Sequence, residues 1–155
     1  NFVSDNYKSA CYFYQTSRMV QIFGPDFAKV TASCLKIPSN YQGLCFESMG
    51  RDVSGARLGV PEVVISDCQN APFGSLRTAC LIGAVQDFFW DSTGASSAVT
   101  FCRLLKDVKE KDACYTTISG RAVDVLQTGE DFENFCKQVE ERFVDKCSAT
   151  RGFKN

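Results

Sequence analysis

Between Tyr115 and Phe143 the apolar residues fall into two runs. Tyr115, Ile118, Ala122, Val125 and Leu126 form the first, and Phe132, Phe135, Cys136, Val139 and Phe143 the second, with the polar stretch QTGED between them. Both follow i, i+3, i+4, i+7 spacing, which predicts two amphipathic helices. The arrangement recurs upstream, with Leu81, Val85, Phe88 and Phe89, then DSTG, then Val99, Cys102 and Leu105. Breakers sit where a helical hairpin needs its turn, at Gly24-Pro25, Gly59-Val60-Pro61, Gly94 and Gly129. Pro25 and Pro61 suit the first turn of a second helix, which needs no backbone N–H. Thr128 followed by Asp131, and Ser39 followed by Gln42, have the form of helix N-cap signals. Strand-type alternation is sparse, and VPEVVISDC, residues 60–68, reads as a short second helix.

The cysteines repeat with the hairpins. They stand at 11, 34, 45, 68, 80, 102, 114, 136 and 147, so that gaps of 22 or 23 residues alternate with gaps of 11 or 12. Each long gap plus its short neighbour spans 34 or 35 residues, an internal repeat. Cys11, Cys45, Cys80, Cys114 and Cys147 each open a unit, and Cys34, Cys68, Cys102 and Cys136 sit late in one. The phrases LCFESMGR and ACYTTISGR, residues 44–51 and 113–121, are the same unit opening written twice. The expected fold is all-α: one repeat domain over residues 1–155, a short right-handed solenoid of about four and a half helix–turn–helix units. Units open near 11, 45, 80 and 114, with a truncated fifth at 147. A single hairpin of this size cannot bury its own apolar faces, and stacking on its neighbours solves this. In period and architecture the chain resembles tetratricopeptide and Sel1-like α-solenoids, especially the cysteine-bridged, secreted kind.

Helical rise decides how the cysteines pair. Partners in an antiparallel hairpin must lie about equally far from the turn. With one helix ending near Leu126 and the next starting near Glu130, Cys114 lies ~18 Å from the turn and Cys136 ~9 Å. A disulfide needs Cα atoms ~5.5 Å apart, which rules this pairing out. For Cys102 and Cys114, with helix ends near Asp107 and Lys111, the distances become ~7 Å and ~5 Å. The expected bridges are therefore Cys34–Cys45, Cys68–Cys80, Cys102–Cys114 and Cys136–Cys147. Metal thiolate sites need clustered ligands. Here no two cysteines are closer than 11 residues and histidine is absent, so no metal and no cofactor is expected. Cys11 is left unpaired. Its partner in the repeat register would stand just upstream of residue 1, so it either bonds another chain or further sequence, or stays free.

Bulk composition narrows the remaining classes. With 17 basic and 18 acidic residues the net charge is -1, which gives no electrostatic reason to expect nucleic acid as partner. No apolar run approaches the ~18 residues of a membrane span, so no membrane insertion is expected. The chain lacks an initiator Met and a signal-like start, and reads as a processed or excised mature segment. Its cysteine load points to an oxidising, extracytoplasmic setting: secreted, cell-surface, periplasmic, or inside an oxidising organelle.

Candidate chemistry is thin. Without histidine, serine- and cysteine-protease machinery is excluded, and no phosphate-binding glycine loop occurs. Glu47, Asp52, Asp87, Asp91 and Asp124 could pair as acid and base only through folding. Two features carry more weight. Arg18, Arg51 and Arg121, with Gln86 in the third unit, follow the opening cysteine by six or seven residues. Such positions would stack into either a shared structural contact or a ridge for carboxylates. In QDFFWD, residues 86–91, Phe88, Phe89 and Trp90 cannot all face one core, which makes Trp90 a candidate interface anchor. The aromatic YFY at 12–14 raises the same question. The expected function is a non-enzymatic, extracytoplasmic module that binds or scaffolds protein or peptide. The alternatives are a structural subunit that assembles end to end with copies of itself, and a carboxylate-based hydrolase.

Overall fold

The computed structural model describes residues 4–152. Within them the chain is helical with no strand. The order is α1 (Asp5–Phe23), α2 (Phe27–Cys34), α3 (Ser39–Ala56), α4 (Pro61–Cys68), α5 (Ser75–Phe88), a 3-10 turn (Ser92–Gly94), α6 (Ala95–Leu104), α7 (Val108–Val125), α8 (Gly129–Cys136) and α9 (Glu141–Gly152). Long helices alternate with short ones. α1, α3, α5 and α7 have 19, 18, 14 and 18 residues, against 8, 8, 10 and 8 for α2, α4, α6 and α8. This alternation is the source of the cysteine rhythm.

Local chemistry sets the helix ends. Thr128 caps α8 by accepting from the Asp131 N–H, and Pro61 occupies the first turn of α4. Asp107 caps α7 through the N–H groups of Lys109 and Glu110. Three expectations shift. Pro25 lies outside α2, whose cap is Asp26, accepting from the Lys29 N–H. Ser39 is already helical and makes no cap, while the Gln42 amide reaches back to the Leu35 and Ile37 carbonyls left over at the end of α2. The α6–α7 connector lies about one helical turn earlier than expected, because Asp107 is a better cap than any residue nearer Lys111.

The chain divides into two compact units, Asn1–Ala84 and Val85–Asn155. In the first, α1 packs on α2 and α3, and α3 packs on α2 and α4. Phe27, Val30, Phe46, Met49, Val53 and Val64 fill its interior. Each such side chain contributes about 1.5–3 kcal/mol by leaving water. α3 and α5 cross at two glycines. A Cβ on Gly50 would overlap the Cys80 carbonyl oxygen, and a Cβ on Gly83 would overlap that of Glu47. In the second unit α7 packs on α6, α8 and α9. Its core is aromatic, with ring pairs Phe88–Phe101, Phe89–Phe135 and Tyr115–Phe143 at centroid distances of 5.2, 5.4 and 4.4 Å.

Four disulfides run from the end of a short helix to the long helix that follows: Cys34–Cys45, Cys68–Cys80, Cys102–Cys114 and Cys136–Cys147. Their Cα–Cα distances are 5.6–5.7 Å, and all eight residues are buried. These are the pairs that helical rise selects. Cys11 is exposed on α1 and unbonded. Four bridges of this kind point to an oxidising, extracytoplasmic environment. No helix of the described residues is long and apolar enough to cross a membrane.

Candidate functional site

The repeated arginines turn inward where they can. Arg51 projects from α3 and donates to the Phe13 carbonyl of α1 at 2.9 Å, with its guanidinium 3.9 Å from the centre of the Phe13 ring. Arg121 projects from α7 and donates through two nitrogens to the carbonyls of Phe89 and Trp90, at 2.9 and 2.8 Å. Those carbonyls lie just past the end of α5, where helix geometry leaves oxygens unpaired and partial negative charge collects. Each arginine therefore holds the backbone of the hairpin before its own. Arg18 is exposed and donates to the Gln21 side chain, and Gln86 is half-buried on α5. Arg51 and Arg121 are thus engaged by main-chain oxygen.

Arg121 also braces Trp90. Its guanidinium lies 5.5 Å from the indole ring while bonded to that residue's carbonyl. The indole is 73 % exposed, whereas Phe89 is fully buried and Phe88 half-buried. Two residues on, Ser92 begins the rim of an open groove of about 450 Å³, lined also by Ala95, Leu126, Gln127, Asp131 and Phe135. Hydrogen bonds from the Thr93 hydroxyl and N–H lower the Asp91 pKa below the ordinary carboxylate value and fix the turn that carries this rim.

The remaining carboxylates are dispersed. Asp52 accepts from the Thr16 and Ser17 hydroxyls of α1. Glu47 is half-buried, and burial raises its pKa against the opposing pull of Arg51. Asp87 and Asp124 are exposed on α5 and α7. Among the described residues no cluster of three His, Cys, Asp or Glu side chains could hold a metal ion. A separate polar group ties α6–α7 to α8–α9. Lys111 pairs with Glu140 at 2.9 Å and donates to the Arg103 carbonyl, while the Arg103 guanidinium donates to the Gln138 carbonyl. Burial works to raise the Glu140 pKa, but hydrogen bonding and charge from Lys111 outweigh it and hold it below normal.

One surface gathers residues that the sequence marks only separately. Tyr12 stacks on Tyr41 and Phe13 on Arg51, so two of the three YFY residues face inward. Tyr14 packs edge-on against Phe13 at 5.1 Å and lies 5.5 Å from the Arg51 guanidinium, yet is 64 % exposed, with Tyr7 at 69 % and Ile22 also exposed. Together with Cys11 and Arg18 they follow 4-3-4-4 spacing, one face of α1. That spacing was available in the sequence but reads equally well as a buried stripe. Set against known proteins, the chain matches no family model, no curated protein and no solved structure.

Proposed function

We propose that the chain is a protein-binding or scaffold module of the extracytoplasmic space, without a catalytic role, whose hairpins stack as a right-handed solenoid. Trp90 carries this reading. An exposed tryptophan is a costly surface residue unless a partner covers it, and tryptophan is enriched among the residues that dominate binding energy. Arg121 restrains the indole in advance, which lowers the entropy lost on association. The groove beginning at Ser92 would take the chain that flanks such a contact. Arg51 and Arg121, turned onto main-chain carbonyls, support the stacking, since each gives its hairpin a polar hold on the one before it. The bridges favour a secreted, surface, periplasmic or oxidising-organelle location.

A peptide library displayed on phage and selected on the oxidised chain tests this. Enriched peptides should bind the Trp90→Ala chain about tenfold or more weakly. Failure to enrich, or enrichment of peptides that bind both chains equally, would remove the reading.

A further inference from the structure

Four positions on the outward face of α1 are the register equivalents of positions that α3, and at single points α7 and α9, turn onto the hairpin before them. Four residues before the opening cysteine stand Tyr7 in α1, Tyr41 in α3 and Phe143 in α9. Tyr41 stacks on Tyr12 at 4.6 Å and Phe143 packs on Tyr115 at 4.4 Å, each covering the aromatic that follows the preceding unit's cysteine. At the cysteine itself, Cys45, Cys114 and Cys147 are buried and bonded to the cysteine near the end of the preceding short helix. Three residues on, Tyr14 corresponds to Ser48, which is buried and hydrogen-bonded to Thr16. Seven residues on, Arg18 corresponds to Asp52, bonded to Thr16 and Ser17, and to Arg121, bonded to the carbonyls of Phe89 and Trp90. On α1 the same four positions, Tyr7, Cys11, Tyr14 and Arg18, are exposed.

We infer that this face of α1 docks a partner of defined kind: a helical hairpin of the same architecture, with a cysteine at the end of its short second helix that bonds Cys11. This rests on the protein-binding reading and names the surface and the partner's chemistry. The register determines what the partner supplies. An aromatic one residue after its own opening cysteine meets Tyr7, its last-turn cysteine meets Cys11, and main-chain or hydroxyl oxygens meet Arg18. Covalent closure is a thiol–disulfide exchange. The Cys11 thiolate attacks the partner cysteine held as a mixed disulfide with a small thiol. One S–S bond forms and one breaks, and the small thiol leaves and takes up the proton, with no net oxidation.

The chain itself provides a probe. Residues 5–38 carrying Cys11→Ser, placed directly ahead of Asp5, put the added Cys34 11 residues before Cys11, the spacing of the Cys34–Cys45 bridge. Non-reducing peptide mapping should find the added Cys34 bonded to Cys11. Amide exchange in the receiving α1 should slow about tenfold or more relative to the unextended chain. Carrying Tyr7→Asp and Tyr14→Asp on the receiving helix should abolish that slowing. Because proximity alone could close an 11-residue loop, equal protection with and without the aspartates overturns the inference, as does an added Cys34 left free. The unextended chain in a glutathione redox buffer tests a second copy. A Cys11–Cys11 dimer that forms at micromolar concentration and is lost with Tyr7→Asp would make the occupant another copy and overturn the hairpin partner. None of these outcomes bears on the Trp90 peptide measurement, so the two readings fail separately.

Discussion

Gly50 and Gly83 mark the two sides of one helix crossing, each lying where a side chain would strike the other helix's main chain. Neither has open space for a methyl group, and the atoms in the way are backbone, which cannot swing aside. Gly50→Ala and Gly83→Ala should each cost about 1–3 kcal/mol, the range for overpacking a filled interior. Gly55→Ala in α3, where nothing lies within 4 Å of the added carbon, should be neutral or stabilise by about 0.5–1 kcal/mol through helix propensity. Urea denaturation of the three variants checks the contrast, which disappears if the close approach is absent.

Arg121 joins a half-buried hydrogen-bonding role to an exposed ring. Arg121→Met keeps much of the stem but removes both bonds to the Phe89 and Trp90 carbonyls, and should cost about 1.5–3 kcal/mol as charged hydrogen bonds do. Trp90 is the chain's sole tryptophan, so its emission reports the change directly. The spectrum should shift when the guanidinium leaves, even under conditions where the variant stays folded.

Stability should fall at both ends of the pH scale for separate reasons. Glu140 has a folded pKa below the ordinary value, so its contribution is present above the unfolded glutamate pKa and is lost as pH drops through the folded one. Glu140→Gln should flatten the acid limb. Tyr115 behaves oppositely. Burial, together with the nearby Glu140 charge, pushes its pKa from 10.0 to about 12. The folded state then keeps a proton that the unfolded chain gives up, so stability is full below pH 10 and declines towards pH 12. Subtracting the profile of Tyr115→Phe from that of the parent isolates this limb. A flat difference between pH 10 and 12 would show that the hydroxyl is not shielded.

The cysteines divide cleanly by expected effect. Replacing Cys102 and Cys114 together by alanine should cost about 2–3 kcal/mol, because the bridge limits a short loop in the unfolded chain. Cys11→Ser should change stability by less than about 0.5 kcal/mol, as exposed substitutions do. A thiol titration of the denatured, unreduced chain should find one reactive group.

Much of this was readable in advance because the cysteines record helix lengths. A cysteine at the end of each short helix and another in the following long helix convert an 8-plus-18 alternation into gaps that can be counted, and helical rise then selects the pairs. Caps were less legible. Ser39 and Gln42 have the right identities for a box, yet Pro38 holds the cap position, Ser39 is already helical, and Gln42 serves the carbonyls behind it. Arg51 and Arg121 show the firmer limit. A sequence displays a charge and its spacing, but the oxygens that take up these guanidiniums lie 38 and about 32 residues earlier in the chain. Gly50 likewise looks like any helical glycine until α5 is laid across it.

The bridges also decide what a single cut can do. Each encloses the whole connector between a short helix and the next long one, residues 35–44, 69–79, 103–113 and 137–146. A protease that nicks any of these stretches leaves the two sides covalently tied, with the fragment masses hidden until a reductant is added. A nick at residues 57–60, in the turn between α3 and α4, falls outside every bridge and frees the two pieces at once. The molecule is thus armoured where each short helix runs into the next long one, and open to separation in the stretches between bridges, the hairpin turns among them.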